Sequence, residues 1–113
     1  MSTASPFAHT SEPPYYAVIF SSRRTEGDNG YESMAERMVA LAAKQPGFLG
    51  AESARGVDGF GITVSYWTSP ECIAAWKANV EHCAAQEMGK HAWYEHYEIR
   101  VAKVERAYGK PSV

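Results

Sequence analysis

The chain has 113 residues, which suits one domain and leaves no room for two. Its composition, 45% hydrophobic and 12% aromatic, supports a modest core. A net charge of -2 and a pI near 6.1 leave no basic surplus to release counterions from a phosphate backbone, which speaks against nucleic acid as a partner. No apolar run reaches the ~20 residues of a membrane helix, so no membrane partner is expected either.

Residues 1–14, MSTASPFAHTSEPP, lack the basic and long apolar regions of a signal peptide and read as a disordered lead-in rich in Ser, Thr and Pro. Tyr15 to Ser22, YYAVIFSS, is aromatic and β-branched and reads as a strand. RRTEGDNG follows as a loop, with Asn29 and Gly30 as helix-start candidates. From Tyr31 the apolar positions Met34, Ala35, Met38, Leu41 and Ala42 recur at helical spacing, which predicts a helix to about Lys44. Pro46 and Gly47 end it, because proline cannot continue a helix and glycine accepts positive φ.

Phe48 to Arg55 reads as a second strand, with a hairpin turn at Gly56, Asp58 and Gly59 and a third strand from Gly61 to Trp67. The run Val57 to Gly61 leads into a strand, so it is a turn and no dinucleotide fingerprint. A second helix starts at Thr68-Ser69-Pro70-Glu71, either with Ser69 as cap and Pro70 at the first helical position or with a Thr68–Glu71 capping box. It is expected to run to about Met88 and stop near Gly89. The last strand is predicted over Tyr94 to Tyr108, with a bulge where its alternation slips between Val101 and Val104.

Strand, helix, strand, strand, helix, strand is the ferredoxin-like βαββαβ order, an α+β fold with a four-stranded antiparallel sheet carrying two helices on one face. Strands this apolar leave the other face in need of a cover, and a second copy of the chain is the simplest one, so a homodimer is expected. Domain bounds of 15–108 follow, with 109–113 as a tail.

Cys72 and Cys83 sit on one predicted helix, about 16 Å apart along its axis at ~1.5 Å per residue. They cannot form a disulfide there and read as small buried hydrophobes in a reducing cytoplasm.

The second helix carries the candidate chemistry. Around a wheel of ~100° per residue, Ile73, Val80 and Cys83 lie near Trp76 and form an apolar stripe. Asn79, Gln86 and His82 follow along one flank. A tryptophan at this spacing serves packing about as often as chemistry. His82 is either a solvated or structurally bonded histidine or, with an unperturbed pKa near 6.5, a general base. Asn79 and Gln86 are more often plain surface residues. Trp93, Tyr94 and Tyr97 either roof a pocket or staple the last strand, and Arg100 more often sits in an ion pair, with Glu98 or with the neighbours of Glu105, than on an anionic substrate. His82, His91 and His96 have no metal-ligand spacing, so no metal site is expected.

The stretches PGFLGAES (Pro46 to Ser53), ITVSYW (Ile62 to Trp67), WK at Trp76, the run His82 to Gln86 and WYEHY (Trp93 to Tyr97) resemble the antibiotic biosynthesis monooxygenase family over Tyr15 to about Tyr108. The resemblance implies a dimeric α+β barrel. It also implies one of two chemistries, oxidation of phenolic or enolisable aromatics by O2 without a cofactor, or haem binding and ring opening. In the haem branch an asparagine on the first strand works with a tryptophan and an axial histidine on the second helix. Trp76 matches that tryptophan, but Gln86 stands where the histidine is expected, and Phe20, Ser21 and Ser22 stand near the asparagine's place. His82 would be a ligand one turn early, in a different helical phase.

The leading expectation is therefore a cofactor-independent monooxygenase acting on a small aromatic or polyketide-like molecule. Trp76 would form a pocket wall and His82 would accept a proton. Asn79, Gln86, Tyr94, Tyr97 and Trp67 would contact substrate. Haem binding or degradation is the first alternative and a non-catalytic ligand-binding dimer the second.

Overall fold

A computed structural model describes residues 6–26, 31–86 and 94–110, with the backbone element but not the side chains given for 31–36 and 81–86. The elements are β1 (Tyr15–Arg24), α1 (Tyr31–Ala43), β2 (Phe48–Arg55), β3 (Phe60–Trp67), α2 (Pro70–Gln86) and β4 (Tyr94–Val104). They form one four-stranded antiparallel sheet in the order β2-β3-β1-β4, as the βαββαβ pattern requires. Among the described residues no helix is long and apolar enough to cross a membrane.

Local chemistry accounts for the joints. The hairpin closes at Gly56 and Gly59, where Gly59 takes φ of +89° and the Asp58 carboxylate accepts from the Phe60 N–H at 3.1 Å. Of the two possible starts for α2, Ser69 is the cap. Its hydroxyl accepts the Cys72 N–H at 3.2 Å, and Pro70 opens the helix. Gly47, at φ +82°, ends the α1 turn. A Cβ there would lie 2.6 Å from Thr68 Oγ1 and against the Cys72 thiol, so this close approach to α2 admits only glycine. The expected stop of α2 near Met88 and Gly89 falls outside the described residues.

Two expectations about the last strand are corrected. β4 ends at Val104, short of Tyr108, and it pairs with β1 in unbroken register from Tyr15–Val104 to Arg23–His96. The irregularity lies at the other end, between Arg23 and Arg24. β4 is an edge strand with most side chains exposed, so its alternation is not enforced by burial on both sides and a slip in the pattern need not be a bulge.

Register assigns each residue to a face. Trp67, Tyr16 and Lys103 share a row, and Trp67 stacks on Trp76 of α2, so that side faces the helices. Phe20, Ser22, Tyr97, Ile99 and Val101 lie on the same side, while Ala17, Ile62, Val64, Tyr66, Glu98 and Arg100 lie on the other.

Part of that second side is covered by the chain's own lead-in, which has no helix or strand over residues 6–14. The Ala8 N–H donates to Glu52 at 3.1 Å, and the Thr10 hydroxyl donates to the Tyr15 phenol at 3.1 Å. Pro6 and Phe7 join Glu52, Ala54, Ile62 and Val64 around a groove of about 330 Å³.

The Tyr66 phenol also donates to Glu52, at 2.6 Å. Burial, then this bond and the carboxylate's charge, push the Tyr66 phenol up to about 12. A raised phenol pKa stabilises the fold below the ordinary value near 10, and that contribution is lost as pH rises from 10 to 12. Ultraviolet titration should show one tyrosine ionising near 12 in the folded protein and reverting toward 10 in Glu52→Gln. A normal titration in the native chain would contradict the Glu52 clamp.

Candidate functional site

The helix-facing side of the sheet carries Trp67, Tyr94 and Tyr97, and its two ends differ. At one end Trp67 is wholly buried. Its ring meets Phe48 edge-on at 5.3 Å and stacks on Trp76 at 6.0 Å, and its indole N–H donates to Ser65 Oγ at 2.9 Å. With no exposed surface and its one donor engaged, Trp67 supports Trp76 from behind and cannot touch a substrate. Trp76 is half-buried against it and is the ring that α2 presents.

Toward the other end the floor is aromatic and open. Phe20 lies 5.4 Å from Tyr94, edge-on, and 5.5 Å from Tyr97, tilted at 34°, with Tyr94 and Tyr97 6.1 Å apart. Beside them Tyr97, Ile99 and Val101 are each more than half exposed. These side chains face the helices, yet the helices do not seal them. That leaves an apolar surface on which a flat ring can lie.

Asn79 is not available as a substrate donor. Its amide nitrogen donates to Gln45 Oε1 at 3.1 Å and to the Ala75 carbonyl at 3.3 Å. Gln45 in turn donates to the Leu41 carbonyl, so the residue ties α2 to the end of α1. His82 and Gln86 lie on α2, but their side chains are outside the described residues. The neighbours of Arg100 differ from expectation too. Glu98 pairs with His96 at 2.6 Å, and both stand on the far side of the sheet with Arg23, Asp58 and Phe60. A second groove of about 250 Å³, lined by Ser21, Ser22, Arg23, Phe60, His96 and Glu98, belongs to that region.

One ordered group escaped the sequence reading. Ser22 is buried, and Arg55 of β2 donates to its hydroxyl at 2.8 Å and to its carbonyl at 3.3 Å. Nothing local in the sequence marks this pair. The signal is Gly61, which register places between them.

A haem site would need an asparagine near Ser22 and an axial histidine at the Gln86 position. The hydroxyl of Ser22 already takes the Arg55 guanidinium, and an amide side chain is a poor iron ligand, so the residues present do not fit haem as that branch holds it. Among the described residues no three metal-ligating side chains cluster.

Comparison with known proteins bears on the same fold. A cofactor-independent oxygenase, SnoaB of Streptomyces nogalater, superposes with a TM-score of 0.68 at 16% identity, over 87% of this chain and all of that one. The heme-degrader MhuD of Mycobacterium tuberculosis superposes at 0.58 with 19% identity, over 83% of this chain and 99% of that one. At these identities the likeness shows the shared architecture. A relative in Bacillus subtilis (strain 168), the uncharacterized protein YqjZ, is 63% identical over 97 residues, which is 86% of this chain and 85% of that protein. The profile described as antibiotic biosynthesis monooxygenase matches residues 14–88, and on that match the chain belongs to the antibiotic biosynthesis monooxygenase family.

Proposed function

We propose that the protein is a cofactor-independent monooxygenase that oxidises a small phenolic or enolisable aromatic with O2. The observation that supports this reading most is the open aromatic floor of Phe20, Tyr94 and Tyr97 on the helix-facing side of the sheet, the side on which Trp76 of α2 stacks against Trp67. The floor holds the ring, Trp76 walls the other end of the cleft, and the flanking Ile99 and Val101 keep the site apolar.

His82 accepts the proton of the phenol or enol. The resulting anion is electron-rich enough to pass an electron to O2, and a carbon–oxygen bond then forms on the substrate. Collapse of the peroxide turns a ring CH2 into C=O and releases one water, which carries the second oxygen atom and both hydrogens. All electrons come from the substrate. In this reading Gln86, four residues past His82 on α2, hydrogen-bonds a substrate oxygen.

The protein acts as a homodimer in this reading. Phe60 and Ile62, 41% and 40% exposed on the second side of the sheet, are the apolar surface a second copy would cover.

The test is a haem titration of the purified protein followed by an oxygen electrode with anthrone and a panel of phenols. Oxygen uptake matched by quinone formation, with no Soret band, is the expected result. A stoichiometric Soret band that bleaches with ascorbate in air would replace this reading with haem degradation. Neither signal would leave a non-catalytic ligand-binding dimer.

A further inference from the structure

One row of the helix-facing side crosses all four strands, from Arg55 through Gly61 and Ser22 to Tyr97. Gly61 has no side chain, and the arginine uses the vacancy. A Cβ on Gly61 would lie 2.8 Å from Arg55 Cζ, so the guanidinium lies over that glycine and reaches the buried Ser22. Its Nη1 donates to the carbonyls of Ser22 and Gly59, and its Nη2 to Ser22 Oγ.

This carries a fixed positive charge from the edge strand inward to β1. The strand bearing Tyr97 is then only one strand spacing away, ~4.8 Å. A guanidinium has five N–H donors, and these bonds engage three. The Nε–H and one Nη2–H remain, and among the described residues no carboxylate pairs with Arg55. Three neutral acceptors orient the group without neutralising it.

We propose that Arg55 is the anion-binding residue of the helix-side cleft, and that the aromatic ligand carries a carboxylate. Its ring lies over Phe20 and Tyr97 while its carboxylate takes the remaining donors of Arg55 in a charge-assisted pair. Ser22 and Gly61 are positioning residues, the first by tethering the guanidinium and the second by giving it room. The assignment rests on the proposed use of this side of the sheet as the substrate cleft.

Calorimetry with a matched pair of probes tests it: 1-hydroxy-2-naphthoate, which is anionic, and 1-naphthol, which is neutral. The intact protein should bind the naphthoate about tenfold or more tightly than the naphthol. Arg55→Gln should erase that preference while leaving naphthol binding unchanged, and Arg55→Lys should restore part of it. Equal binding of both probes by the intact protein, no binding of either, or an equal loss of both in Arg55→Gln would overturn the assignment. The first two outcomes need no variant to fold. Oxygen uptake is read separately. The expected binding pattern without oxygen consumption would sink the oxygenase reading and leave the carboxylate assignment standing.

Discussion

Trp67→Ala is expected to lower the stability of the fold by about 3–5 kcal/mol, the usual scale for removing a buried large aromatic. The side chain is fully buried and is the joint of three elements, meeting Phe48 of β2 and Trp76 of α2 from its place on β3. Its removal leaves a cavity that rigid strands cannot collapse, and the Ser65 hydroxyl loses its indole partner. A domain of this size holds only about 5–15 kcal/mol in total, so the variant should be marginal. At a slope of about 2 kcal/mol/M the urea midpoint should fall by about 2 M. Trp67→Phe keeps a ring in the stack and should lose markedly less. If Trp67→Ala unfolds at the native midpoint, α2 is not docked through this stack.

His82→Ala is expected to lower turnover about 100-fold or more, the scale of a lost general base. The expectation follows from its place on α2, six residues past the ring that walls the cleft, and from imidazole being the side chain that exchanges a proton near neutral pH. In the native enzyme the rate should fall on the acid side, because imidazolium cannot accept a proton. The variant should lose that limb of the profile and keep only a slow, base-driven rate at high pH. Oxygen uptake across pH 5 to 9 reads both effects at once. Undiminished turnover in the variant would remove His82 from the chemistry.

β1 and β3 were legible because each is a run rich in β-branched and aromatic residues bounded by turn residues. The start of α2 was legible because a capping serine before proline has few other uses. The polar flank of α2 was legible as a pattern, but not its purpose. Asn79 spends its donors on Gln45, a residue 34 positions away that no local window contains. The Arg55–Ser22 pair was hidden for the same reason, since it exists only once register sets Gly61 between them. The end of β4 was misread because an exposed edge strand carries little burial pattern to mark its limit.

The lead-in over the sheet has a practical bearing on how the protein is produced. Its Ser, Thr and Pro content invites trimming to Tyr15, where the first strand begins. Such a shortened chain would strip the Ala8 amide from Glu52 and the Thr10 hydroxyl from Tyr15. It would also take Pro6 and Phe7 from the groove they form with Val64, leaving that apolar wall open beside the already exposed Ile62. The tidier clone would be the stickier one, and an affinity tag is better carried at the other terminus.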